Sequence, residues 1–246
     1  MLDIRSAPGE RRARIEAGAR ARGNLWAIVL AGGESIRLRP LVRHLYGDDR
    51  PKQYAALVGD CSLLRQTLDR VARLIPPERT VVVTMARQMP YMEAELPTAQ
   101  RRPHVLAQPE DRGTAAGILL AAHWIQAQDP EATVAVFPAD HLVIEEGALM
   151  RHVEAVAHFV DMQAGWTILL GAQPTEPEIE YGWIDPGERV GWTAPGPVYR
   201  VHGFREKPSV EIARSLFATG ALWNTLIFVA RAAALTAAGR SVPAQR

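Results

Sequence analysis

Three charged side chains fall where a chain turn can gather them. Arg37 and Lys52 flank Gly32-Gly33, the turn that ends the apolar run Leu25-Trp-Ala-Ile-Val-Leu30. Two glycines there let the backbone turn sharply and come close to a ligand. Exposed amides plus two cations at a strand's carboxyl end suit a polyphosphate. Further along, Phe137-Pro-Ala-Asp-His141 sets the Asp140 carboxylate just past a second apolar run. A carboxylate so placed can hold a divalent cation through oxygen ligation. Each feature also has a bland reading: Gly32-Gly33 as a tight turn, Asp140 as its own turn's cap. Two familiar phosphate loops are excluded. Lys52 is too far from the glycines for a P-loop and lacks the hydroxyl residue after it. No glycine follows Gly33 until Gly47, so the dinucleotide fingerprint is absent.

The elements that must position these residues alternate. Leu25 to Leu30 reads as a buried parallel strand, short, apolar and ended by Gly-Gly. Leu64, Leu68, Val71 and Leu74 predict a helix from Ser62 to Leu74, stopped by Pro76-Pro77. Thr80 to Thr84 is a β-branched strand, Gln88 to Glu95 a weak helix, and His104 to Ala107 a short strand. Thr114 to Gln128 is helical with Thr114 as the expected N-cap. Thr133 to Phe137 is a strand, Ala148 to Asp161 a helix, and Trp166 to Gly171 a strand. This alternation predicts an α/β fold with a mostly parallel sheet covered on both faces. Ligands of such sheets bind at the carboxyl ends of strands. The turns after Leu30, Ala107 and Phe137 therefore converge on one site. After Gly171 prolines crowd the chain, and Tyr181 to Asp185 and Val198 to Phe204 read as antiparallel hairpins forming a lid. A helix from Val210 to Thr219, a short strand from Leu226 to Val229 and an Ala-rich helix near Arg231 follow.

The 246 residues, 48% hydrophobic and 22% charged, suit one large α/β domain. A formal net charge of +1 gives no global field for nucleic acid. Cys61 is the only cysteine, so no intrachain disulfide forms and a reducing, cytoplasmic setting is expected. Residues 1–23 are an Arg-rich stretch, expected to be a flexible arm; residues 24–246 form the folded domain. No window reaches the roughly 18 apolar residues of a membrane span.

Taken whole, Leu30-Ala-Gly-Gly-Glu-Ser-Ile-Arg-Leu-Arg-Pro-Leu41 followed by Pro51-Lys52 resembles the signature of the sugar-phosphate nucleotidyltransferases. Gln53 and Phe137-Pro-Ala-Asp-His141 resemble the mannose-1-phosphate guanylyltransferase branch. The resemblance runs from Leu25 to about Val229 through six motifs in the family's order. It implies a three-layer α/β/α, Rossmann-like nucleotidyltransferase fold with a mixed, mostly parallel sheet and an antiparallel sugar-side lid. It implies transfer of a nucleotidyl group from an NTP, GTP first, to a sugar 1-phosphate, mannose 1-phosphate first, with release of pyrophosphate. Ala31, Gly32 and Gly33, with Arg37 and Lys52, would hold the nucleotide phosphates. Gln108-Pro-Glu-Asp-Arg-Gly-Thr114 resembles the base-binding loop, implicating Gln108, Gly113 and Thr114. Tyr181-Gly182 resembles the sugar loop, and Glu206-Lys207-Pro208 the motif in which Glu206 meets a sugar hydroxyl and Lys207 the sugar's phosphate. Trp223-Asn224 resembles the start of Trp-Asn-Ser-Gly, so Asn224 joins the sugar half. Asp140 would hold Mg²⁺.

The chain departs from the family pattern in three places. Ser35 stands at the third glycine, Gly113 where the guanylyltransferases carry Asn, and Thr225-Leu226 in place of Ser-Gly. The family's second metal carboxylate lies downstream of the Trp-Asn motif, and no Asp or Glu follows Glu211. The family's C-terminal region, which oligomerises some members, is not matched. Nucleotidyl transfer is the reading, a catalytically weak or silent nucleotide- and sugar-phosphate-binding homologue the alternative, and the missing carboxylate predicts poor or no turnover. The implied partners are an NTP and a sugar 1-phosphate, with no nucleic acid and no membrane, and with homo-oligomerisation open.

Overall fold

The computed structural model describes residues 24–96 and 101–241. The Arg-rich stretch 1–23 lies outside the described residues. Strand β1 (Leu25–Leu30) sits in the middle of an eight-stranded sheet. Its residues divide by parity. Leu25, Ala27 and Val29 join one hydrophobic core, Trp26 and Ile28 another on the opposite face. That is why the run is apolar without alternation: both faces of the strand are covered.

β1 pairs in parallel with β2 (Thr80–Met85) and β4 (Thr133–Pro138), and β2 with β3 (His104–Gln108). Beyond β4 the pairing turns antiparallel. β8 (Leu222–Arg231) runs beside β4 and also receives β5 (Ile168–Ala172) and β6 (Gly182–Thr193). β6 and β7 (Gly196–Glu206) close the order β3-β2-β1-β4-β8-β6-β7. Helices α2 (Leu63–Val71) and α5 (Glu146–Met162) cover one face through Leu64, Leu68, Val153 and Val160. Helix α4 (Thr114–Gln128) covers the other through Ile118, Ala121 and Ile125, with α7 (Ala232–Ser241) beside it. The result is the three-layer α/β/α arrangement with an antiparallel lid.

Helix α2 starts where Ser62 caps it, the Arg65 amide donating to Ser62 Oγ over 3.0 Å. The other expected cap is corrected: the residue before α4 is Gly113 (φ 81°), with no side-chain cap, and Thr114 is already the first helical residue. Asp111 Oδ1 takes the Gly113 amide instead, at 2.8 Å. β8 is ten residues long and contains Trp223-Asn224, where a short strand after them was expected. It is longer because a register shift between Leu169 and Gly171 lets β5 follow it past Thr225-Leu226. Helix α1 (Arg39–Tyr46) was not expected; it buries only Val42 and leaves Leu41 and Leu45 of its apolar stripe exposed. Helices α3 (Met89–Glu95) and α6 (Val210–Ala218) fall where expected.

The β5–β8 seam needs a small residue. A Cβ added at Gly171 would lie 2.8 Å from Leu222 Cδ1 and 2.9 Å from Leu222 Cβ. Because one of those atoms is bound directly to the backbone, rotamer change alone does not relieve the clash. Gly171→Ala is expected to destabilise the protein by about 1–3 kcal/mol, as overpacking does, read from the urea unfolding midpoint.

Candidate active site

The three turns expected to converge do so. A cleft of about 270 Å³ opens at the carboxyl ends of the parallel strands, lined by Gly32 and Gly33 after β1, Gln108 at the end of β3, and Asp140 after β4. Gly113, Thr114 and Gly117 bring the first turn of α4 to the same space. A helix N-terminus supplies free amides and positive potential to an anionic ligand. Gln108 folds against Gly117, where an added Cβ would lie 3.1 Å from Gln108 Oε1. Ala31 contributes only backbone: its side chain is buried, its amide donates to the Val83 carbonyl over 2.7 Å, and its own carbonyl faces inward.

Lys52 and Asp140 meet at the cleft's edge, Nζ to Oδ2 at 2.8 Å. Both side chains are about a third exposed (32% and 31%), so solvent screens the pair and little holds it against a competing ligand. Arg70, only 2% exposed, braces the turn carrying Asp140 from below. It donates to the His141 carbonyl over 3.4 Å and to Thr67 Oγ1 over 2.9 Å, and faces Glu146 at 3.5 Å. Burial pulls the Arg70 guanidinium below its ordinary pKa, partly offset by Glu146. Burial likewise lowers the His141 imidazole, partly offset by Asp140. His141 is thus kept towards its neutral form beside the carboxylate.

Arg37 departs from expectation. It is not among the residues lining the cleft. It sits in the 3-10 turn Ile36–Leu38, exposed, with its guanidinium hydrogen-bonded to Glu180. The turn follows the left-handed Ser35 and swings Arg37 towards the lid, so it ties the glycine loop to the loop before Tyr181.

The residues expected on the sugar side form a second cluster on β6, β7 and β8. A Cβ at Gly182 would meet Glu206 Oε2 at 2.6 Å, Phe204 Cζ at 3.1 Å and Asn224 Cβ at 3.3 Å, so these groups close round the glycine. The Lys207 amide donates to the Tyr181 carbonyl over 3.2 Å, and the Tyr181 ring stands edge-on to Trp223 at 5.2 Å. Glu206 and Lys207 are exposed. Asn224 Oδ1 accepts the Leu226 amide over 3.0 Å, and Leu226 lines the first cleft. One strand, β8, therefore spans both clusters.

Two departures from the glycine pattern keep a glycine's backbone. Ser35 has φ 54° and Leu226 φ 56°, both left-handed. Each carries a cost of about 1–2 kcal/mol that glycine avoids. Sequence reading missed Leu226 as a cleft residue and Gln88 behind the loop; a leucine and a glutamine carry no signal by type. Among the described residues no group of three or more His, Cys, Asp or Glu side chains is placed to hold a metal ion.

Such a fold, with its ligand cleft at the carboxyl ends of parallel strands and a second cluster on an antiparallel lid, defines a Rossmann-like nucleotidyltransferase. The family model described as Nucleotidyl transferase matches residues 26–244, and the chain belongs to that family. It is 31% identical over 215 residues to a mannose-1-phosphate guanylyltransferase of Escherichia coli, covering 86% of this chain and 44% of that protein. It is 32% identical over 206 residues to the xanthan biosynthesis protein XanB of Xanthomonas campestris, covering 83% and 42%. The chain spans under half the length of these curated relatives. A Thermus thermophilus crystal structure described as mannose-1-phosphate geranyltransferase superposes with a TM-score of 0.77 at 34% identity, over 89% of this chain and 60% of that one.

Gly182→Ala is expected to displace the Glu206 carboxylate and the Phe204 ring, costing about 1–3 kcal/mol of stability while leaving the first cleft intact. Thermal melts and a structure of the variant check both halves of that expectation.

Proposed function

We propose that the cleft binds an NTP, with GTP the first choice, and that the lid cluster presents a sugar 1-phosphate, with mannose 1-phosphate the first choice. A phosphate oxygen of the sugar attacks the α-phosphorus. The bond from that phosphorus to the oxygen bridging to the β-phosphate breaks, and its electron pair leaves with pyrophosphate. This chemistry needs positioning and neutralisation of crowded negative charge more than covalent help. The observation that carries the reading is the convergence of Gly32-Gly33, Lys52 and Asp140 with the first turn of α4. Lys52 would pair with the leaving phosphates once ligand draws it off Asp140. Gln108 offers a donor and an acceptor to a base edge. Glu206, Lys207, Tyr181 and Asn224 would orient the sugar phosphate.

Asp140 fits Mg²⁺, which takes one or two carboxylates together with substrate phosphates and water. Bound there, Mg²⁺ would neutralise phosphate charge. Asp111 also lines the cleft and is a candidate for a second carboxylate. Glu206 lies in the lid cluster, and Asp185 lies 3.6 Å from His202. A second reading, binding with little turnover, draws support from Asp140's partner being Lys52 and no carboxylate cluster lying beside it among the described residues.

Pyrophosphate release measured across nucleotides and sugar phosphates, with and without Mg²⁺, separates the two. Mg²⁺-dependent release with GTP and mannose 1-phosphate supports transfer; nucleotide binding without release supports the second reading. Asp140→Asn is expected to remove Mg²⁺-dependent release and leave the melting temperature within a few degrees. Wild-type release by that variant would exclude Asp140 as the metal ligand.

A further inference from the structure

The glycine loop is gripped by two buried glutamines, Gln53 at the floor of the cleft and Gln88 beside it. Gln53, 2% exposed, donates through Nε2 to the Ala31 carbonyl at 2.7 Å and to the Gly33 carbonyl at 2.9 Å. Gln88, 3% exposed, donates through Nε2 to the Gly32 carbonyl at 3.4 Å and the Gly33 carbonyl at 3.3 Å. The Tyr54 hydroxyl adds a third donor, 3.3 Å from the Ala31 carbonyl and 2.6 Å from Thr84 Oγ1. Burial pushes its pKa up to about 12, so it keeps its proton across the physiological range.

Three consecutive carbonyls are therefore held towards buried side-chain amides. In a trans peptide the C=O and the following N–H point in opposite directions, and no cis peptide occurs among the described residues. Fixing the carbonyls of Ala31, Gly32 and Gly33 inward turns the N–H groups of Gly32, Gly33 and Glu34 the other way. None of those three N–H groups donates to another group among the described residues. Successive amides facing one way form an anion-binding concavity.

We propose that Gln53 and Gln88 are positioning residues for phosphate: a paired amide clamp that holds the loop's carbonyls and so aims its N–H groups at the nucleotide's phosphates. The clamp rests on the reading of this cleft as the nucleotide site. It also accounts for Ser35. Gln53 Oε1 accepts from Ser35 Oγ over 3.1 Å, so the serine that stands at φ 54° locks the glutamine whose amide holds the loop. With its oxygen taken by a hydroxyl donor, the Gln53 amide is left with its N–H₂ facing the carbonyls. Glutamate or methionine at position 53 has the length but not the two donors.

The test is a titration of isotope-labelled protein, first with inorganic pyrophosphate and then with GTP, following the backbone N–H resonances of Gly32, Gly33 and Glu34. In the wild type these resonances are expected to move on binding. In Gln53→Met and Gln88→Met the dissociation constants for both ligands are expected to rise tenfold or more, with mannose 1-phosphate affinity changed less than twofold. A purely structural role for the glutamines would lower the melting temperature and leave the affinities alone. Affinities within twofold of wild type in a folded variant overturn the clamp while leaving the nucleotide reading intact. If Gln53→Met does not fold, Gln88→Met decides the matter by the same criterion. If the wild-type resonances respond to neither ligand, the nucleotide reading fails and the clamp falls with it.

Discussion

The site depends on the register of three parallel pairings. Leu30 lies level with Val83 on β2 and with Pro138 on β4, and Met85 lies level with Gln108 on β3. Strands so aligned end together, and each releases its turn at the same edge of the sheet. A one-residue slip would send the β1 side chains to the wrong cores, exchanging Ala27 and Val29 with Trp26 and Ile28. The two-faced core therefore enforces the alignment that brings a glycine turn, a glutamine and an aspartate within one cleft. The chemistry is a by-product of packing that is much costlier to disturb than any of the site's own contacts.

The antiparallel half answers a different need. Its cluster of Glu206, Asn224 and Gly182 lies apart from the cleft at the parallel strand ends, and β8 provides the connection. Its outer residues, Trp223 and Asn224, face the lid cluster, and Leu226 reaches the cleft. The Leu226 amide bonded to Asn224 Oδ1 sits at the junction, where the strand passes through a left-handed residue. Arg37 and Glu180 form a second link between glycine loop and lid. That pair is exposed and screened, so it steers the loops more than it stabilises them.

Ser35 and Leu226 illustrate how a pattern can change while its geometry persists. Both adopt the backbone that a glycine would supply without strain, and both are tied by a hydrogen bond to a neighbour that matters: Ser35 to Gln53, Leu226 to Asn224. Strain of this kind survives only where the surroundings over-determine it. The bonds of Ser35 to Gln53 and of Leu226 to Asn224 do so here.

The strands, the long helices, the convergence of three turns and the placing of Asp140 and Lys52 were legible in the sequence, because apolar period and turn chemistry are local properties. The lid's antiparallel character was legible too, from its crowded prolines. The direction of Arg37 was not: its outcome turned on the φ of Ser35 and on Glu180, 143 residues away. The N-cap of α4 passed from Thr114 to Gly113 because an aspartate two residues back took the amide. The length of β8 depended on a bulge in β5, and the roles of Gln53 and Gln88 on carbonyls brought to them by tertiary packing. Sequence by itself determined which residue types could meet phosphate, sugar and metal. Only the folded chain decided which way each backbone dipole points, because that is set by hydrogen-bond partners distant along the chain.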